Sequence, residues 1–174
     1  HNNSYNIVDN EGGGDCLFAV VRDGLARVGR KISVSELREK VSAEMDEKVF
    51  KNYKDLYDSL KAEEDSQLLE LKEMVKKNKS LKTALTHTLE RKDKLLIIGG
   101  AKDIQAKFQE KKDELAVTQE LLGDYRFMKN INSVDEFKAL IKSCDFWAEA
   151  WTIATLERIL NIKLIIFSKT QYDA

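Results

Sequence analysis

Chemistry in this sequence concentrates between Asn10 and Phe18, where Asn10-Glu11-Gly12-Gly13-Gly14-Asp15 leads straight into Cys16-Leu17-Phe18. Three successive glycines suit neither regular structure, and they permit backbone conformations closed to other residues. From Leu17 onward, Phe18, Val20, Val21, Leu25 and Val28 recur at helical spacing, so Cys16 is expected at a loop-to-helix junction. The orphan amides and dipole of a helix start favour negative charge there, and amides of Gly13, Gly14 and Asp15 could face a developing oxyanion. A nucleophilic thiol is one reading of this pattern. The same residues also fit a small buried cysteine after a flexible loop, or a phosphate cradle, although no Lys-Ser/Thr follows where such a cradle places one.

Other reactive side chains are sparse. Cys144, between Ser143 and Asp145 near an apolar helix end, is expected to be structural. His87 falls in Leu85-Thr86-His87-Thr88-Leu89, where a solvated helix face is the expectation, and His1 opens the chain. Two cysteines with two such histidines give no metal-ligand spacing, so neither a metal nor another cofactor is expected. Trp147 and Trp151, at i and i+4, are expected on one buried helix face.

The elements that must position Cys16 follow from pattern. Tyr5 to Asp9 reads as a short extended entry. Ser33-Val34-Ser35-Glu36 is a capping box, and Leu37, Val41 and Met45 continue a helix expected to reach about Phe50. Residues from about 55 to 122 differ. Leu68, Leu71, Val75, Leu85 and Leu89 mark a stripe amid many Lys and Glu, with an interruption expected at Asn78-Lys79-Ser80. Leu95-Leu96-Ile97-Ile98 precedes Gly99-Gly100, and a further helix carries Ile104, Phe108, Leu115 and Leu122 to Gly123. An antiparallel helical hairpin is the simplest arrangement. Ser133 and Glu136 form a second capping box, before Phe137, Leu140 and Ile141. An apolar helix from Trp151 to Leu160 then stops at Asn161, and Ile162 to Ser168 reads as a central strand by its β-branched content. A helix feeding such a strand predicts an α/β fold, rich in helix.

Composition bounds the possibilities. The 174 residues, 43% hydrophobic and 34% charged, suit one domain, 1–174, with the helical arm 55–122 inside it. A net charge of −1 supplies no overall field for nucleic acid or anionic membrane, so a protein or small-molecule partner is expected, with no nucleic acid. No stretch reaches the apolar length of a membrane span, and two cysteines fit a soluble protein of a reducing compartment. Absence of proline favours long helices. No heptad run of useful length occurs, and a monomer is expected.

Gly14-Asp15-Cys16-Leu17-Phe18 resembles the Asp-Gly-Asn/Asp-Cys-Leu-Phe motif of the ovarian tumour (OTU) family of cysteine proteases. The segment from Phe146-Trp147-Ala148-Glu149 to Phe167-Ser168 is similar to that family's Trp-x-x-Glu helix and following strand, so the likeness covers roughly residues 5–50 and 125–168. It implies a papain-type α/β core with the helical hairpin inserted. It also implies a deubiquitinase, hydrolysing isopeptide bonds of ubiquitin or polyubiquitin with Cys16 as nucleophile and Gly13, Gly14 and Asp15 shaping the oxyanion loop. The family's Asp three residues before the cysteine is Gly13 here, and Asp9 is the candidate for the acid that orients the base. That placement, with a helical insertion, is similar to OTU proteases secreted by Legionella, which implies an effector acting in a host cytosol. The family's histidine lies on a strand after the one ending at Phe167, and no matching histidine occurs. The catalytic histidine is thus expected beyond residue 174, with the C-terminal strands incomplete. A non-catalytic module binding ubiquitin or another host protein on the same scaffold is the alternative that this gap supports.

Overall fold

A computed structural model of the chain describes residues 8–10 and 12–167. Helices take up 75% of the described residues, and no strand occurs among them. In order they are α1 (Cys16–Arg27), α2 (Val34–Ala43), α3 (Glu47–His87), α4 (Arg91–Asp124), a 3-10 turn (Arg126–Met128), α5 (Val134–Lys142) and α6 (Ala150–Leu160). The expectation of an α/β, papain-like core is therefore corrected to an all-helical fold.

The correction turns on Ile162 to Phe167. β-Branched residues favour a strand only when a neighbouring strand takes up their backbone groups, and none stands beside them among the described residues. After Asn161 ends α6 in the left-handed region (φ 53°), Glu157 collects the chain instead. Its carboxylate accepts from the Leu164 amide at 2.8 Å and pairs with Lys163 at 3.1 Å. Ile165, Ile166 and Phe167 remain exposed. At the other end of the chain, Val8 and Asp9 have no regular structure, and the rest of the expected entry segment, like Ser168, lies outside the described residues.

The chain divides into two compact units, His1–Lys51 with Asn130–Ala174, and Asn52–Lys129. In the first, α2 packs against α1, α5 and α6. Phe18, Leu37, Val41, Phe137, Ile141, Phe146 and Leu156 are fully buried there, each such side chain contributing about 1.5–3 kcal/mol. Phe137 meets Phe50 and Phe146 edge-on, at centroid separations of 6.4 and 5.9 Å. The Ser33–Glu36 capping box closes the start of α2, the Ser33 hydroxyl accepting from the Glu36 amide at 3.1 Å. Helix α2 ends at Ala43 rather than near Phe50. Met45 turns into the core, and Asp46 accepts from the Val49 amide at 2.8 Å, which starts α3 afresh.

The second unit is an antiparallel hairpin of most of α3 with α4. Gln119 donates to Glu64 at 2.9 Å, Lys111 pairs with Glu70 at 3.3 Å, and Gly100 lies beside Leu81. Neither Asn78-Lys79-Ser80 nor Gly99-Gly100 interrupts its helix. Tyr53, Tyr125 and Phe127 cluster at the open end, their rings tilted or edge-on to one another. Leu71 and Leu115 are buried, yet so are polar Gln67 and Thr118. Long side chains thus do much of the bridging. Among the described residues no helix is long and apolar enough to cross a membrane.

Candidate active site

Cys16 is the first residue of α1, with its thiol free and exposed. The loop before it is set by backbone geometry. Gly13 and Gly14 have φ of 79° and 94°, a region that side-chain-bearing residues rarely enter. Gly14 is also buried against the carbonyl of Cys144, in space that a Cβ would occupy, with the Trp147 indole nitrogen 3.5 Å from the same point. The need for glycine at position 14 is therefore both conformational and steric.

Arg38, on α2, holds this loop from beneath. Only 2% exposed, it spends its guanidinium on five hydrogen bonds. Nε donates to Asp15 Oδ1 at 2.8 Å. Nη1 donates to the carbonyls of Ile141 (2.8 Å) and Phe146 (3.3 Å), and Nη2 to those of Gly14 (3.1 Å) and Phe146 (3.3 Å). Its cationic carbon lies 4.3 Å from the centroid of the buried Phe18 ring. The fork shape of arginine suits this work, because one rigid plane reaches two separate chain segments. Position 38 carried no sign of this in the sequence, where an arginine in an amphipathic helix looks like one more surface charge.

The carbonyls of Gly14, Asp15 and Cys16 each have a donor. Gly14's points at Arg38, Asp15's accepts from the Ala19 amide at 2.8 Å, and Cys16's accepts from Asn10 Nδ2 at 3.3 Å. In a planar trans peptide the amide of the next residue points opposite to the carbonyl, so the Asp15 amide is directed away from Arg38. Together with the first orphan amides of α1, that gives donors beside Cys16 suited to developing negative charge. Gly13, Gly14 and Asp15 thus lead into Cys16 along the chain, with Asp15 committed to Arg38 through its side chain.

Asp9 is exposed and directs its carboxylate onto the amide of Asn10 at 3.0 Å. His87 ends α3 in the other unit, and His1 lies outside the described residues. No histidine is found among the described residues of the unit that holds Cys16. Cys144 is exposed as a free thiol, and what it contributes to the site is its backbone carbonyl against Gly14.

Trp147 departs from its expected place. Helix α6 begins at Ala150, so Trp147 precedes it and is 66% exposed beside the glycine loop, whereas Trp151 is half-buried on the helix. The two indoles therefore do not share a helix face. Trp147 instead brings its indole nitrogen to Gly14, two residues before Cys16. No group of His, Cys, Asp and Glu able to hold a metal ion occurs among the described residues. No protein-family model, curated protein or solved structure matches this chain.

Proposed function

We propose that the chain is a cysteine-type deubiquitinase of the OTU kind, with Cys16 attacking the carbonyl of an isopeptide bond to ubiquitin. The observation that carries this reading is local. An exposed free thiol opens a helix one residue after two positive-φ glycines, and a buried arginine holds the Gly14 carbonyl and the Asp15 carboxylate. The Asp-Cys-Leu-Phe sequence resembles the OTU nucleophile motif, and it is this local agreement, without a papain-like sheet, that supports the assignment. Attack forms a thioester and breaks the carbon–nitrogen bond, the leaving lysine amine taking up a proton. Water then hydrolyses the thioester and restores the thiol. Loop amides hold the oxyanion at each step, and Trp147 flanks the extended tail of the departing ubiquitin. Both cysteines are free, which suits a reducing compartment such as the cytosol, including that of a host cell.

One observation favours a second reading, a module that binds ubiquitin without cleaving it. The family's reaction takes the thiol proton on an imidazole, and the described part of the Cys16 unit contains none. Ubiquitin with an electrophilic C-terminus distinguishes the two, since alkylation requires a reactive thiol at the binding site. Mass spectrometry should place the adduct on Cys16 and show none in Cys16→Ala. Binding without an adduct selects the module, and absence of both removes ubiquitin from the account.

A further inference from the structure

The net charge of −1 hides a strong separation within the hairpin. Residues 76–107, around its turn, carry nine Lys and Arg against three Asp and Glu, a formal +6. The rest of that unit, 52–75 and 108–129, carries seven against twelve, a formal −5. Pairing follows the same division. Lys54 pairs with Asp58, Lys61 with Glu64 and Asp65, and Lys111 with Glu70 and Glu114, all towards the open end. None of the nine cations of 76–107 makes an ion pair among the described residues. Arg91, Lys92 and Lys94 also crowd the first turn of α4, where the helix's own field disfavours cations.

Apolar side chains are exposed in the same place. Leu89, in the connection between α3 and α4, is 91% exposed, and Leu95 and Leu96 are 62% and 68% exposed. The run Leu95 to Ile98 makes one turn of α4 apolar all round. Ile97 and Ile98 line the cleft of about 430 Å³ between the helices, so Leu95 and Leu96 are left facing outward. A helix seated in that cleft would leave all three leucines in water. A flat anionic surface would cover them and the unpaired cations at once.

We propose that the turn end of the hairpin docks on the surface of an anionic membrane. Leu89, Leu95 and Leu96 enter the boundary between headgroups and acyl chains, and Arg91, Lys92 and Lys94 reach headgroup phosphates. Leu95 and Leu96 lie four to five residues into α4, about 6–8 Å along its axis, within the roughly 5–10 Å depth that interfacial segments occupy. Arginine and lysine stems are long enough to return their charges to headgroup level from there. The chain lies on the bilayer and does not span it.

The test is co-sedimentation of the full chain with vesicles of phosphatidylcholine alone, or containing about one-third phosphatidylserine. Binding is expected only to the anionic vesicles, weakening as salt rises. Lys92→Gln with Lys94→Gln should weaken it about thirtyfold, since each basic residue near such a surface contributes about fivefold. Leu95→Ser with Leu96→Ser should weaken it at least about tenfold while leaving the salt dependence unchanged. These side chains are largely solvent-facing, so unchanged circular dichroism should accompany both variants. Failure to sediment with anionic vesicles overturns the proposal. So does wild-type binding by the leucine variant, or retention on a single-stranded oligonucleotide without vesicle binding.

Discussion

Three adjacent glycines should respond differently to the same added methyl group. At Gly12 a Cβ meets nothing within 4 Å, and Gly12→Ala should change stability by no more than about 0.5 kcal/mol. At Gly13 the space is equally open, but φ is 79°, so alanine should cost about 1–2 kcal/mol from backbone strain alone. Gly14 combines φ of 94° with a Cβ position inside the Cys144 carbonyl. That carbonyl sits between Ile141 and Phe146, whose own carbonyls accept from Arg38, so moving it loosens the arginine fork. Charge-assisted bonds of this type contribute about 1.5–3 kcal/mol each, which puts Gly14→Ala at about 3–5 kcal/mol including strain. Urea unfolding of the full chain, followed by circular dichroism at constant m-value, gives the three differences. Equal stability of Gly14→Ala and Gly12→Ala would refute the account of the loop, as would Gly13→Ala proving the most damaging of the three.

Further outcomes follow from the same contacts. Arg38→Lys keeps the charge but loses the planar fork, so it should destabilise the chain by about 2 kcal/mol or more and slow labelling of Cys16 by an electrophilic ubiquitin. Arg38→Ala, which also leaves the Gly14, Ile141 and Phe146 carbonyls without this donor, should cost about 3–5 kcal/mol by urea unfolding. Acid should act through two carboxylates. Hydrogen bonds from the Ser33 backbone amide and side chain hold Glu36 below the usual glutamate range, and the Leu164 amide, then Lys163, do the same for Glu157. Because both are lowered in the folded state, their contribution is present above the ordinary glutamate range and is lost as pH falls through the lowered values. Glu36→Gln and Glu157→Gln should each flatten the fall in stability between about pH 5 and pH 3, measured by urea unfolding at each pH.

Helix starts were legible in the sequence where a short side chain closes them. Ser33 marked α2 and Ser133 marked α5, because a serine hydroxyl accepting an amide three residues on is a local event. The glycine loop and the start of α1 were legible from local pattern as well, although no side chain caps α1. What was not legible depends on partners distant in sequence. Ile162 to Phe167 has strand composition, but a strand needs a ladder, and Glu157 takes the Leu164 amide instead. Trp147 and Trp151 looked like one helix face because nothing in their spacing marks the start of α6 at Ala150. Arg38 looked ordinary because its role is set by Asp15, Gly14, Ile141 and Phe146, up to 108 residues away. Asn78-Lys79-Ser80 looked like a break, yet propensity costs of a few tenths of a kcal/mol per residue do not end a helix of 41 residues. Overall net charge, finally, could not show that the hairpin's two ends are opposite in sign.

The most direct measurement is mass spectrometry of the chain after incubation with ubiquitin bearing a thiol-reactive C-terminus, using Cys16→Ala and Cys144→Ala as paired controls. Both thiols are exposed, so non-specific alkylation would mark both. A single adduct on Cys16 is expected, kept in Cys144→Ala and lost in Cys16→Ala. An adduct on Cys144 alone, or equal labelling of the two cysteines, would contradict it.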